Sequence, residues 1–129
     1  MSKRVLVPGP DHPITIEPAR ARVIVRVAGR VVADSRRVLT LREGSYAPVH
    51  YIPRNDADMS LLEHSAHTTY CPYKGDCSYF SIPAGGDRSI NAVWTYESAY
   101  PAVAAIRDHL AFYPNRVDQI QLEEIAPGR

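Results

Sequence analysis

Arg22-Val23-Ile24-Val25-Arg26-Val27-Ala28-Gly29-Arg30-Val31-Val32-Ala33-Asp34-Ser35 carries the strongest fold signal in the chain. Val23, Val25 and Val27 recur at every second position, so they share one face of an extended strand. Ala28-Gly29 reads as a two-residue turn, and Arg30 to Ser35 runs back. The stretch predicts a β-hairpin.

Reading outward, Ile14-Thr15-Ile16-Glu17 is a short alternating strand. The prolines at 8, 10 and 13 make residues 1–13 an extended arm. Downstream, Arg37 to Leu41 forms a strand stopped at Glu43-Gly44-Ser45, and Val49-His50-Tyr51-Ile52 forms another stopped by Pro53. Asn55 to Asp58 cap a short helix through Met59 and Leu62. Thr68 to Cys71, the turn Pro72 to Asp76, and Cys77 to Ile82 form a second hairpin, with Cys77, Tyr79 and Ser81 on one face. After a loop from Pro83 to Arg88, Ile90 to Glu97 is a strand with Ile90, Ala92, Trp94 and Tyr96 facing one way. Pro101 opens a helix to about Phe112, striped by Val103, Ile106 and Leu110. Val117 to Ile125 is the last strand, and 126–129 is a loose tail.

The sum is about eight strands and two short helices. Strands follow one another through hairpins, with no strand–helix–strand rhythm. The expected fold is therefore mostly β, with antiparallel sheets and short helices packed against them, and not a Rossmann-type sheet. At 129 residues the chain suits one domain, with its core over about 12–125. Eleven prolines and eight tyrosines also favour strands and turns over long helices.

The net charge of +1, with basic residues dispersed, argues against a nucleic-acid partner. No run of about 18 apolar residues suggests a membrane span. Only three apolar residues precede Pro8 at the basic start, too few for a secretory signal, so the expected location is the cytoplasm. There Cys71 and Cys77 would stay reduced.

Several segments together resemble the bacterial family catalogued as domain of unknown function 427. They are His12-Pro13-Ile14, Val32-Ala33-Asp34-Ser35, Pro48 to Arg54, Thr69-Tyr70-Cys71-Pro72-Tyr73-Lys74-Gly75, Tyr79-Phe80-Ser81, Asn91 to Glu97, and His109 to Pro114. The resemblance runs over roughly residues 12 to 120. It implies a compact β domain similar to the β-tent fold and no settled activity. Zinc-binding β-tent relatives carry paired Cys-x-x-Cys knuckles. This chain has none, so no metal or other cofactor is carried over.

Five constellations bear on chemistry. In the Cys71–Cys77 hairpin, a thiol beside Lys74 is suited to act as a nucleophile, or Lys74 to hold an anionic group; the competing reading is a packed thiol on an ordinary turn. His64, His67, Cys71 and Cys77 are zinc-ligand types, but their spacing fits no zinc motif. Gly44-Ser45 followed by Asp56 and Asp58 is similar to a nucleotidyltransferase signature, in which paired carboxylates hold two metal ions; here they read as a turn and helix-capping acids. Arg54, Tyr79, Trp94, Tyr96 and Glu97 offer rings with polar tips and paired charges for a ligand pocket, although Trp94 could equally fill the core. His109 and His50 read as surface or helix-end histidines.

The leading expectation is a small-molecule-binding β domain, with Cys71 and Lys74 as the catalytic pair if it is an enzyme. Arg54, Tyr79, Trp94, Tyr96 and Glu97 would line the ligand site. Its rivals are an interaction or structural module, which would present an apolar patch or a two-fold homodimer contact, and metal-dependent nucleotidyl transfer.

Overall fold

A computed structural model describes residues 3–125. The Arg22–Ser35 hairpin is present as β2 (Ala21–Val27) and β3 (Arg30–Ser35). Its turn residues Ala28 and Gly29 both have left-handed backbones, with φ of 51° and 75°, as a type I′ hairpin turn requires. β10 (Gln119–Glu124) pairs antiparallel with the other edge of β2, which completes a three-stranded sheet ordered β10-β2-β3.

The other seven strands are β1 (Ile14–Pro18), β4 (Leu39–Glu43), β5 (Val49–Pro53), β6 (Glu63–Cys71), β7 (Gly75–Ser81), β8 (Val93–Thr95) and β9 (His109–Phe112). They form one antiparallel sheet in the order β1-β4-β5-β9-β8-β7-β6. The architecture is mostly β, as expected, with ten strands. The helical segments are short 3-10 turns, including Arg54–Asp56, Met59–Leu61 and Pro101–Ile106.

Strand alternation gives the large sheet two apolar faces. One face carries Ile52, Phe80, Ile82, Val93, Leu110 and Phe112 against Val23, Val25, Val27, Val32 and Ala33 of the small sheet. The other carries Leu41, Tyr51, Cys77, Tyr79, Tyr96 and Ala111, joined by Val103 and Ile106 from the Pro101–Ile106 turn. The sheet curls around this second cluster until its ends meet. Glu43, at the end of the second strand in the sheet order, reaches Lys74 in the turn between the last two.

Three local expectations are corrected. The helix from Pro101 stops at Ile106, because Arg107 is extended and Asp108 is left-handed at φ 57°. The next residues form β9, and Leu110 pairs with Ile52 and Thr95. The apparent stripe is split: Val103 and Ile106 belong to the second cluster and Leu110 to the first. The helix expected after Asn55 is two separate 3-10 turns, and β6 then begins at Glu63. The strand expected from Ile90 starts only at Val93. Asn91, left-handed at φ 54°, breaks the alternation, so Ala92 packs in the first cluster while Trp94 and Tyr96 pack in the second.

Within the arm, the Leu6 amide donates to the Pro72 carbonyl, and Lys3 pairs with Asp76. The arm thus lies along the β6–β7 hairpin. The tail expected at 126–129 lies outside the described residues.

Candidate functional site

The long reach between Glu43 and Lys74 creates a compact group of ionisable side chains. Lys74 Nζ donates to Glu43 Oε1 at 2.5 Å, and Glu43 Oε2 meets His12 Nε2 at 2.6 Å. The lysine is 8% exposed. Cys71 Sγ lies 3.8 Å from the same ammonium, and the Tyr96 ring centroid lies 6.0 Å from it. The His12 ring stacks on Tyr73 with centroids 3.9 Å apart, which fixes the imidazole against the carboxylate. Burial alone would raise the Glu43 carboxyl, but the hydrogen bonds from Lys74 and His12 outweigh it and hold the group below its usual value.

The turn itself explains how Lys74 comes to point inward. Gly75 has φ of 111°, and a Cβ there would stand 3.2 Å from the Ser98 carbonyl oxygen. The Tyr100 amide donates to the Lys74 carbonyl. The Ser98–Tyr100 loop therefore crosses directly against the hairpin turn, and only glycine fits at the crossing.

The seven residues expected from sequence do not form one pocket. Cys71, Lys74 and Tyr96 are together. Tyr79 bonds Thr69 Oγ1 through its hydroxyl at 2.9 Å. Arg54 pairs with Glu97 at 3.2 Å, lies within 3.4 Å of Thr95 Oγ1 and covers the Phe80 ring. Trp94 donates its indole N–H to the Tyr51 hydroxyl at 3.3 Å and packs on Tyr113. Burial pushes the Tyr51, Tyr79 and Tyr96 phenols upward, so these hydroxyls stay protonated at neutral pH. It also pushes the Cys77 thiol up, which marks Cys77 as a packed sulfur. Both cysteines are free thiols.

The paired acids of the nucleotidyltransferase-like pattern serve other partners. Asp56 accepts from Ser35 and Arg37, and Asp58 caps the Met59–Leu61 turn at Ser60. Among the described residues no three His, Cys, Asp or Glu side chains gather as a metal site would need. The carboxylate geometry of two-metal transfer is not formed.

A well-formed apolar cleft lies elsewhere and arises from strand pairing. β5 and β9 are joined only at Ile52–Leu110 and Pro53–His109. On one side of those pairs the two strands diverge. The gap opens a cleft of about 330 Å³ between the two sheets. Phe112 walls it on the large-sheet side, Val23, Val25, Ile120 and Leu122 on the small-sheet side, and Pro48, His50, Trp94 and Pro114 also line it. Trp94 is thus the one sequence-expected residue on this cleft.

Glu43, His12 and His50 carry these two places, and sequence reading missed them as site residues. Glu43 looked like the acid before a turn. Its partners are 31 residues away in both directions, so no local spacing could reveal it.

A small antiparallel β protein with a curled sheet, a half-buried carboxylate clamp and an apolar cleft between its sheets is the class that this fold and these two places define. The family model for the domain of unknown function 427 matches residues 15–123, and the chain belongs to that family. No curated protein matches the chain.

Proposed function

We propose that the protein binds a small, largely apolar molecule in the cleft where β5 and β9 part. The cleft itself supports the reading: about 330 Å³ is within the range of sites that bury small ligands, and an apolar, partly aromatic lining with few polar groups is their usual composition. Toluene titration followed on the indole N–H resonance of Trp94, the chain's only tryptophan, tests it. Saturable movement at millimolar toluene is expected, and Ile120→Phe should reduce it by filling the cleft. A resonance indifferent to toluene at every concentration removes the proposal.

A second reading concerns the group around Glu43. Cys71 and Lys74 would act together there as nucleophile and charge partner, with Tyr96 beside them, and Glu43 would hold the lysine in place. The observation that favours it is a buried charge pair beside a free thiol. Such pairs add little net stability compared with apolar packing, and charges of this kind concentrate at functional sites. Iodoacetamide should label Cys71 well before Cys77, and Lys74→Met should slow that labelling severalfold. Equal labelling rates of the two thiols in the folded protein would end this reading. The Arg54–Glu97 pair is assigned no role in either.

A further inference from the structure

We infer that the ligand of the cleft is a neutral, largely apolar molecule bearing one hydrogen-bond acceptor, which His50 Nε2–H engages. This rests on the cleft-binding reading above and goes further by naming the chemistry of the ligand.

The argument starts from a proton. Thr40 and His50 are cross-strand partners on β4 and β5, and Thr40 Oγ1 lies 3.0 Å from His50 Nδ1. Thr40 is buried at 7% exposure. Its hydroxyl proton has no other acceptor among the described residues. If Nδ1 carried the ring proton, the threonine oxygen would accept and its own proton would be buried without a partner, at a cost of about 1–3 kcal/mol. If the hydroxyl donates to Nδ1, both groups are served. The second arrangement is therefore the stable one, and it leaves the ring proton on Nε2. No hydrogen bond to Nε2 is formed among the described residues, and His50 lines the cleft. Burial and the neighbouring Arg42 charge also push the imidazole downward, so the ring is neutral at pH 7 and presents one donor, not a full positive charge.

Trp94 contributes differently. Its N–H is already committed to Tyr51, and Tyr113 packs against it with centroids 4.4 Å apart. It borders the cleft without offering it a free donor. One N–H donor and an otherwise apolar lining match a neutral compound with a single carbonyl or ring-nitrogen acceptor. They do not match a sugar, a phosphate or a carboxylate, whose several acceptors or charge would be left unpaired.

Acetophenone and α-methylstyrene make the test, because they share a shape and differ by an oxygen in place of a methylene. Each is titrated into the full chain while the Trp94 indole resonance is followed. Acetophenone is expected to bind about fivefold more tightly, the worth of one neutral hydrogen bond. His50→Phe should abolish that preference while both compounds still bind. Thr40→Val, which frees Nδ1 to take the proton, should reduce the preference and covers the case in which His50→Phe does not fold. Equal affinities for the wild type, or a preference that survives both substitutions, overturn the inference and leave the cleft-binding reading standing. Failure of both compounds to move the Trp94 resonance overturns that reading as well.

Discussion

Lys74 and His12 share the two oxygens of Glu43, and among the described residues neither has a second acidic partner. Removing one member strands the others in a poorly hydrated place. Lys74→Met is expected to destabilise the fold by about 3 kcal/mol, since breaking a buried pair costs more than the pair is worth. The double variant Glu43→Leu with Lys74→Met should recover a large part of that loss, and urea denaturation of the two single variants and the double variant would measure the coupling. A double variant as unstable as the sum of its parts would show that the pair is not coupled. These residues also mark where sequence reading stops. Cys71 and Lys74 could be singled out because they sit three apart in one turn. Glu43 could not, because the closure of a curled sheet, and no local pattern, brings it there. His50 alternates with Val49 and Tyr51 along β5, yet nothing in the chain announces that the strand beside it is missing a neighbour at that point.

At the scale of elements, alternation was legible wherever a strand was long and paired on both sides. β2, with Val23, Val25 and Val27 buried, is the clearest case. It failed in short segments punctuated by left-handed residues. Asn91 and Asp108 each turn the chain without a glycine to signal it, so Ile90 to Glu97 looked longer than β8 and β9 looked like the end of a helix. Ala28, the first residue of the β2–β3 turn, shares that backbone strain. Ala28→Asn should therefore stabilise the protein by about 0.5–1 kcal/mol and raise Tm by about 3 °C, as scanning calorimetry would report. Gly75→Ala acts in the opposite sense. It adds a left-handed penalty of about 1–2 kcal/mol and a close approach to the Ser98 carbonyl, and its Tm should fall. The two-pair ladder between β5 and β9 predicts fast amide exchange at the divergence, around His50 and Phe112, beside slow exchange along the centre of β2. Uniformly slow exchange would mean that the gap is closed in solution.

For the whole molecule, the mostly-β class, the antiparallel pairing and the position of the β2–β3 hairpin followed from residue pattern. The curl of the larger sheet did not. Acid response follows from that curl. Glu43 is held below its ordinary value of 4.5, and Asp34 and Asp56 below 3.8 by their arginine partners. A carboxyl with a depressed folded value contributes stability that is complete above its unfolded value and disappears as pH falls through the folded one. Stability should accordingly be flat near neutrality and decline below about pH 4.5, and Glu43→Gln should flatten the upper part of that decline. Chemical denaturation across pH 3 to 7 checks the sign: a decline as steep in Glu43→Gln as in the wild type would mean that Glu43 is not the group responsible.

Because Glu43 and Lys74 sit near opposite margins of a seven-stranded ribbon, their attraction works like the clasp of a hoop. Neutralising the carboxylate opens the hoop without disturbing the three-stranded plate behind it. Mild acid should consequently yield a species sprung along one seam, with tyrosine side chains wetted and the valine-rich layer dry, well before the chain unravels.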